Sequence, residues 1–174
     1  MSKYNYIITK IKLLYKKLFG QLSVINSKVE IKGSNTTLDN ILIIFPIDEP
    51  SFRVALYTFR NFEGNKKTNY FYLINRVHHS HFHLMGEVYN MNYIKSTLTT
   101  DDDFNNLFSV DFDMIVDLNK NFNYDLALII NKMKSKFKVG LSKEFSDMFY
   151  NLQFNLSESD ILESGYEKIK SMLS

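Results

Sequence analysis

Cysteine and tryptophan are absent from this 174-residue sequence, and proline and glycine are scarce, with two and six residues. Without cysteine the chain forms no disulfide and no thiolate zinc site, and it has no cysteine nucleophile, which suits a reducing compartment. No apolar run approaches the roughly 20 residues of a membrane-spanning helix. Lysines interrupt the N-terminal segment, which therefore lacks the apolar core of a signal peptide. We expect a cytoplasmic protein.

A strong charge of one sign is missing as well. The 21 Lys and Arg residues face 19 Asp and Glu residues, which leaves a formal net charge of +2. This is too little for general polyanion binding, and the aromatic residues fall on stripes typical of a core, so we expect no nucleic-acid partner. What the sequence does have is 45% hydrophobic residues, which suits one domain with a sizeable core.

Residues 112–141 predict a strand, a helix and a second strand in succession. Met114–Val116 is a short apolar run between polar flanks, which is typical of a strand buried on both faces. Phe137–Val139 is the returning strand, and Gly140 ends it. A connection this short implies a parallel pair with a right-handed crossover. The residues between them recur at helical spacing: Phe122, Leu126, Ile129, Ile130 and Met133.

The same alternation runs through residues 38–174. Ile41–Phe45 and Tyr70–Ile74 are apolar runs typical of buried strands, and a helix capped by Ser51 separates them. The alternation predicts a three-layer α/β/α Rossmann-like domain with a mainly parallel sheet. The pattern leaves residues 78–86 open between helix and strand. Its remaining predictions are a strand at Tyr89–Ile94, a polar loop at Thr99–Asn106, an edge strand at Phe149–Phe154 and a last helix capped by Ser157 or Ser159.

Residues 1–37 form an N-terminal arm and linker in this prediction. Residues 4–18 have helical periodicity, Gly20 ends the helix, and Val29–Ile31 fits a short strand. The helix carries lysines and no acidic residue, so it can lie on the inner face of an anionic membrane. Its apolar stripe can equally pack on its own domain or on a partner subunit, and the oligomeric state stays open. The residues assigned to this contact are Lys10, Lys12, Lys16 and Lys17.

Two loops follow the carboxyl ends of predicted strands, where open parallel sheets bind ligands. The first holds Asp48 and Glu49, a candidate base or metal pair, together with Ser51 and Arg53. The second holds the candidate ligand-binding residues Asn119, Lys120 and Asn121. The first loop has two prolines and no glycine, which disfavours the close phosphate approach of ordinary nucleotide-binding loops. We expect no cofactor.

All four histidines cluster at His78, His79, His81 and His83. In an extended segment the last three would share one face and could bind a metal through imidazole nitrogens. No acidic residue or cysteine completes a metal-binding motif there, so we expect no metal site.

The order of these elements resembles the N-terminal half of glycosyltransferase family 9, the bacterial ADP-heptose:lipopolysaccharide heptosyltransferase-like proteins of the GT-B fold. The segment from Asn40 to Phe45 resembles the first strand of that family. The segment Asp113-Met114-Ile115-Val116-Asp117-Leu118-Asn119-Lys120-Asn121-Phe122 resembles its second motif, and Phe137–Leu141 its closing strand. The final helix, Ser159 to Leu173, resembles the helix that leads towards the second domain. The resemblance covers residues 39–173.

The departures from the family pattern concern function. The family has Gly-Asp after the first strand, with Asp as the proposed base, where this chain has Pro50-Ser51. Lys120 replaces the glycine of the second motif. The resemblance also ends where the donor-binding domain of the family begins, and that domain supplies most of the nucleotide-sugar site.

We consider three hypotheses for the function. The first is a family-9-like single domain that is catalytically incomplete alone and acts as a binding or scaffold protein in cell-surface polysaccharide assembly. The second is the acceptor-side half of a split glycosyltransferase, in which Asp48 or Glu49 is the base and a separate subunit binds the nucleotide sugar. The third is an unrelated small α/β binding module. A sugar or nucleotide sugar is the expected ligand.

Overall fold

The computed structural model describes residues 3–23, 38–94, 97–100, 106–156 and 161–174. Two short 3₁₀ helices, Arg76–His81 and Ser146–Met148, lie between the larger elements. The described helices are α1 (Lys3–Leu18), α2 (Glu49–Phe59), α3 (Tyr124–Lys132) and α4 (Leu162–Leu173). The described strands are β1 (Asn40–Ile44), β2 (Asn69–Asn75), β3 (Glu87–Ile94), β4 (Thr97–Thr100), β5 (Phe112–Asp117), β6 (Ser135–Leu141) and β7 (Leu152–Phe154).

The strands form one sheet in the order β4-β3-β2-β1-β5-β6-β7. Six of them are parallel, and β4 is antiparallel to β3 at one edge. Apart from β4, this is the strand order of a Rossmann fold, in which the chain starts in the middle and reverses direction once. The structure therefore confirms the α/β class and the mainly parallel sheet.

The helices cover both faces of the sheet. Alternate residues of β1 point to opposite sides, so that Leu42 and Ile44 belong to one core cluster and Ile41 and Ile43 to the other. On the first face, apolar residues of α1 and α3 join the cluster. On the second face, α2 and α4 pack side by side over the sheet. The three-layer prediction is confirmed.

Several local predictions differ from the structure. Thr99 and Thr100 belong to β4, so the predicted loop is wrong there, and residues 101–105 lie outside the described part of the chain. β6 continues through Gly140 to Leu141. The last helix has Ile161 at its N-cap position, not a serine. Val29–Ile31, Ser157 and Ser159 lie outside the described residues.

The N-terminal helix packs on the domain through one side only. Leu13 is fully buried, and the Tyr6 ring stacks on Phe145 with 4.9 Å between ring centroids. After Gly20, which has a φ of 67°, Ser23 exchanges two backbone hydrogen bonds with the Asn131 side chain. The sequence allows the apolar stripe of this helix to pack on the domain. In the structure most of that stripe lies on the exposed side of the helix. No helix in the described ranges has the length and hydropathy to cross a membrane.

Lys138 is buried in the sheet, where its Nζ donates a hydrogen bond to the Asn131 carbonyl at 3.0 Å. Burial lowers the pKa of this ammonium group to about 8. The unfolded chain binds this proton up to about pH 10, so the free energy of unfolding should rise between about pH 8 and pH 10. We expect a gain of about 1 to 2 kcal/mol in urea denaturation, and K138M should lack it. Equal pH profiles for the two proteins would contradict a lowered pKa of Lys138 in the folded protein.

Candidate functional site

The carboxyl ends of β1 and β5 lie next to each other, with Ile44 paired to Asp117. β2 flanks β1 on its other side, so the strand order reverses between β1 and β5. Ligands of open α/β sheets usually enter at this reversal. Both loops that the sequence proposes as functional start here.

Asn119 bridges the two loops. Its Oδ1 accepts the Ile47 N–H at 2.9 Å, and its Nδ2 donates to Asp117 Oδ1 at 2.7 Å. The residue is only 4% exposed. We predicted from the sequence that Asn119 binds a ligand, but in the structure its side-chain amide joins the two loops.

Asp117 is the centre of a buried polar network. Its Oδ1 accepts from the backbone and the side chain of Asn119, and its Oδ2 accepts from Lys143 Nζ at 2.6 Å and from the Tyr150 hydroxyl. Lys143 Nζ also donates to the Asn119 carbonyl at 2.6 Å. The side chains of Lys143 and Asp117 are 5% and 2% exposed, so this ion pair lies within the protein. The network occupies the place where a ligand would meet the sheet.

Tyr150 stays protonated in this network. Its burial, and then the charge and the hydrogen bond of Asp117, raise the pKa of the Tyr150 hydroxyl well above its usual range. Gly140 on β6 leaves room for the ring, because a Cβ there would lie 3.1 Å from two of the Tyr150 ring carbons. The sequence pattern does not indicate Lys143 or Tyr150 as site residues, because they lie 26 and 33 residues from Asp117. The glycine inside a strand was their only local signal.

A tight turn after β6 positions Lys143. Ser146 Oγ donates to the Lys143 carbonyl at 2.7 Å, and the Lys143 N–H donates back to that oxygen at 3.3 Å. Phe145 adopts a left-handed φ of 61°, which is uncommon for a bulky residue. Its ring packs against Tyr6 and Phe122, which supports the strained turn.

Asp48 is the N-cap of α2. Its carboxylate accepts the Ser51 N–H at 2.9 Å, and Pro50 occupies the first turn. The prediction of Ser51 as the cap is wrong, because the helix begins at Glu49 and Ser51 supplies the capped N–H instead. Ser51 itself is buried.

Glu49 and Arg53 pair one helical turn apart on the exposed side of α2. Arg53 Nη2 lies 2.5 Å from Glu49 Oε1, and both side chains are largely exposed. Lys120 and Asn121 are also exposed, at the end of the β5 loop. The structure thus buries Ser51 and Asn119 at the inner edge of the two loops, and it leaves Asp48, Glu49 and Arg53 exposed.

A cavity of about 600 Å³ opens on that outer surface, between α2 and the 3₁₀ helix after β2. Its size lies within the range of small-molecule sites. Arg60 has its guanidinium carbon 4.1 Å from the centre of the Tyr57 ring, and no carboxylate of the described residues pairs with it. The lining residues are Glu49, Phe52, Arg53, Leu56, Tyr57, Arg60, Val77, His78, His81 and His83.

The histidine cluster does not form a metal site. The 3₁₀ helix turns His78 inward, where it stacks on Phe52 at 4.3 Å and its Nε2 lies 3.1 Å from the Ile47 carbonyl oxygen. His79 instead bonds Asn90 on β3 at 2.9 Å, so the extended arrangement with three histidines on one face is not present. Within the described ranges, no three His, Asp or Glu side chains are placed to hold a metal ion.

Residues 10–171 match a family of unknown function, DUF6913. The chain belongs to this family. No curated protein matches its sequence significantly.

Two solved structures share its fold: the E. coli heptosyltransferase WaaC with ADP, at a TM-score of 0.56, and WaaC with ADP-2-deoxy-2-fluoro heptose, at 0.57. Each match has 10% sequence identity and covers 77% of this chain. It covers only 46% and 48% of the WaaC chains, so this chain spans about half their length. The likeness supports a glycosyltransferase family 9-like fold.

The capping role of Asp48 leads to a stability prediction. D48A should lower the free energy of unfolding by about 1 kcal/mol, whereas D48N should leave it nearly unchanged, because asparagine caps helices as well as aspartate does. Urea denaturation followed by far-UV circular dichroism measures both. If D48N were as destabilised as D48A, the carboxylate would have a role other than capping.

The buried ion pair leads to a larger effect. D117N should lower the free energy of unfolding by about 3 to 5 kcal/mol, because it leaves the Lys143 ammonium group buried without its counter-charge. E49Q, which breaks the exposed pair with Arg53, should cost less than about 1 kcal/mol.

The double variant D117N/K143M removes the unpaired charge and should recover most of the loss. It also keeps the test informative if D117N does not fold. A cost for D117N no larger than that for E49Q would show that the Asp117 network is not a main support of the fold.

Proposed function

We propose that this chain is a glycosyltransferase family 9-like binding or scaffold domain of bacterial cell-surface polysaccharide assembly, and that it is catalytically incomplete alone. The observation that carries the proposal is the division of the candidate residues. The carboxylate of the exposed Asp48 caps α2, and the buried Asn119 bridges the two loops. The open cavity lies instead beside α2 and is lined by cationic and aromatic side chains.

The lining of this cavity favours a phosphorylated sugar or a nucleotide sugar. Arg60 provides a planar guanidinium group suited to phosphate, while Glu49 already engages Arg53. Tyr57 and Leu56 offer apolar surface for the rest of the ligand, and His81 and His83 add polar groups. A glycine-poor loop with Asp48 as its helix cap does not provide a nucleotide-phosphate cradle at the sheet.

Glu49 favours a second function. Its carboxylate lines the same cavity, where a general base must reach an acceptor hydroxyl. The chain would then be the acceptor-side half of a split glycosyltransferase that needs a separate nucleotide-sugar-binding subunit. Sugar transfer by the purified chain together with such a subunit, and not by either alone, would favour this function over the first.

Calorimetric titration with mannose 6-phosphate and UDP-glucose tests the binding proposal, with unphosphorylated mannose as the matched ligand. R60Q should weaken binding of the phosphorylated probes about 10- to 100-fold, the effect of losing a charge-assisted hydrogen bond. K120Q removes an exposed charge outside the cavity and should leave the affinity unchanged.

Two outcomes would contradict the assignment. Loss of binding in K120Q but not in R60Q would place the site at the β5 loop. Absence of binding of both phosphorylated probes at millimolar concentration would contradict the proposal that this cavity binds a sugar phosphate or a nucleotide sugar.

A further inference from the structure

The exposed side of α1 is a continuous apolar stripe. Successive residues of an α-helix are turned by about 100°, so the apolar side chains fall within an arc of about 120°, roughly opposite the buried Leu13. Leu18 and Ile11 are 83% and 61% exposed. We call this surface the α1 stripe; its members are Tyr4, Ile7, Ile11, Leu14, Tyr15 and Leu18.

The stripe is exposed because α1 already packs by its other side. Leu13, the Tyr6 ring on Phe145, and Lys12 Nζ 5.8 Å from the centre of the Tyr124 ring form that contact. Together with Leu22 they fix the helix on the domain while the stripe faces outward. A flat surface can therefore cover the stripe without detaching α1.

Lysines border the stripe on both sides. Lys10 and Lys17 lie along one border of the helix, and Lys12 and Lys16 along the other. The first acidic residue of the chain is Glu30, so no carboxylate lies on α1. An apolar stripe between two rows of lysines is the pattern of helices that lie in the interface of an anionic membrane.

The N-terminal segment is positively charged, and the rest of the chain carries a net negative charge. Five lysines lie in residues 1–23, and the remaining 16 basic residues face 19 acidic ones, which gives the rest of the chain a net charge of −3. An anionic surface therefore attracts α1 and repels the remainder, which orients the protein as it approaches. The same lysines would repel each other in a symmetric contact between two copies of α1.

We propose that α1 is a membrane-surface anchor that inserts the α1 stripe into the interface of an anionic lipid bilayer. The lysines bind the lipid headgroups, and the stripe enters the boundary of the acyl chains. The helix lies in the plane of the membrane, since its 16 residues are fewer than the roughly 20 that span a bilayer. This inference is independent of the ligand assigned to the cavity.

Flotation of the full chain with phosphatidylglycerol-phosphatidylcholine vesicles tests the proposal, with pure phosphatidylcholine vesicles as the reference. The wild type should bind the anionic vesicles at least tenfold more strongly at 50 mM NaCl, and 500 mM NaCl should reduce that preference. I11S/L18S, which changes two exposed side chains, should bind at least tenfold more weakly at either salt concentration.

Two variants test the role of the lysines on α1: one removes two of them, and a control removes two lysines from an exposed loop. K10Q/K17Q should bind about 25-fold more weakly at low salt, because each lysine near an anionic surface contributes roughly fivefold. K66Q/K67Q removes the same charge from an exposed loop and should bind as the wild type does. Unchanged thermal melting of every variant shows that the domain remains folded.

Because the chain has no tryptophan, the fluorescence of a single introduced tryptophan reports insertion at its position. The emission of L14W should shift to shorter wavelength with anionic vesicles, while that of M85W, placed at an 89% exposed residue, should not. Equal shifts at both positions, or no preference for anionic vesicles, would overturn the proposal. So would sedimentation as a dimer that I11S/L18S dissociates, if the dimer does not bind vesicles, because the stripe would then contact a second copy.

Discussion

The buried ion pair between Asp117 and Lys143 joins the segments that follow β5 and β6. Asp117 ends β5 in the middle of the sheet, and Lys143 follows β6. Through Asn119 the pair also reaches the backbone of Ile47, which leads into α2. Each oxygen of the carboxylate has two donors, so its buried charge is fully satisfied. The loops at this end of the sheet depend on that one side chain for their relative positions.

The same network determines where a ligand can bind. In a Rossmann-like sheet the reversal point is usually open to a ligand, but here side chains of the protein occupy it. The WaaC-like fold is therefore combined with an interior that differs from an open binding cleft. The polar groups that remain accessible lie farther out, on α2 and on the short helix after β2. A likeness of fold thus says little about the location of the site.

The sequence predicted the elements whose signals are local. Ile41–Phe45 is apolar without interruption because β1 is covered on both faces, and the stripe of residues 122–133 is regular because α3 covers the centre of the sheet. The Asp117 network could not be predicted, since Lys143 and Tyr150 reach it only through the pairing of β5, β6 and β7. Asp48 was identified as a functional candidate, but its role depends on where α2 begins. The α1 stripe was visible in the sequence, whereas the burial of its opposite side depends on Phe145 and Tyr124, more than a hundred residues away.

The three-layer arrangement has a consequence for access. α1 lies over one face of the sheet, and α2 with its cavity lies over the other. If a bilayer covers α1, the mouth of the cavity is turned towards the water rather than towards the lipid. A freely diffusing sugar phosphate then enters without obstruction. A sugar attached to a lipid carrier needs a spacer long enough to pass around the edge of the sheet, so the thickness of the domain itself selects among the molecules that can reach it.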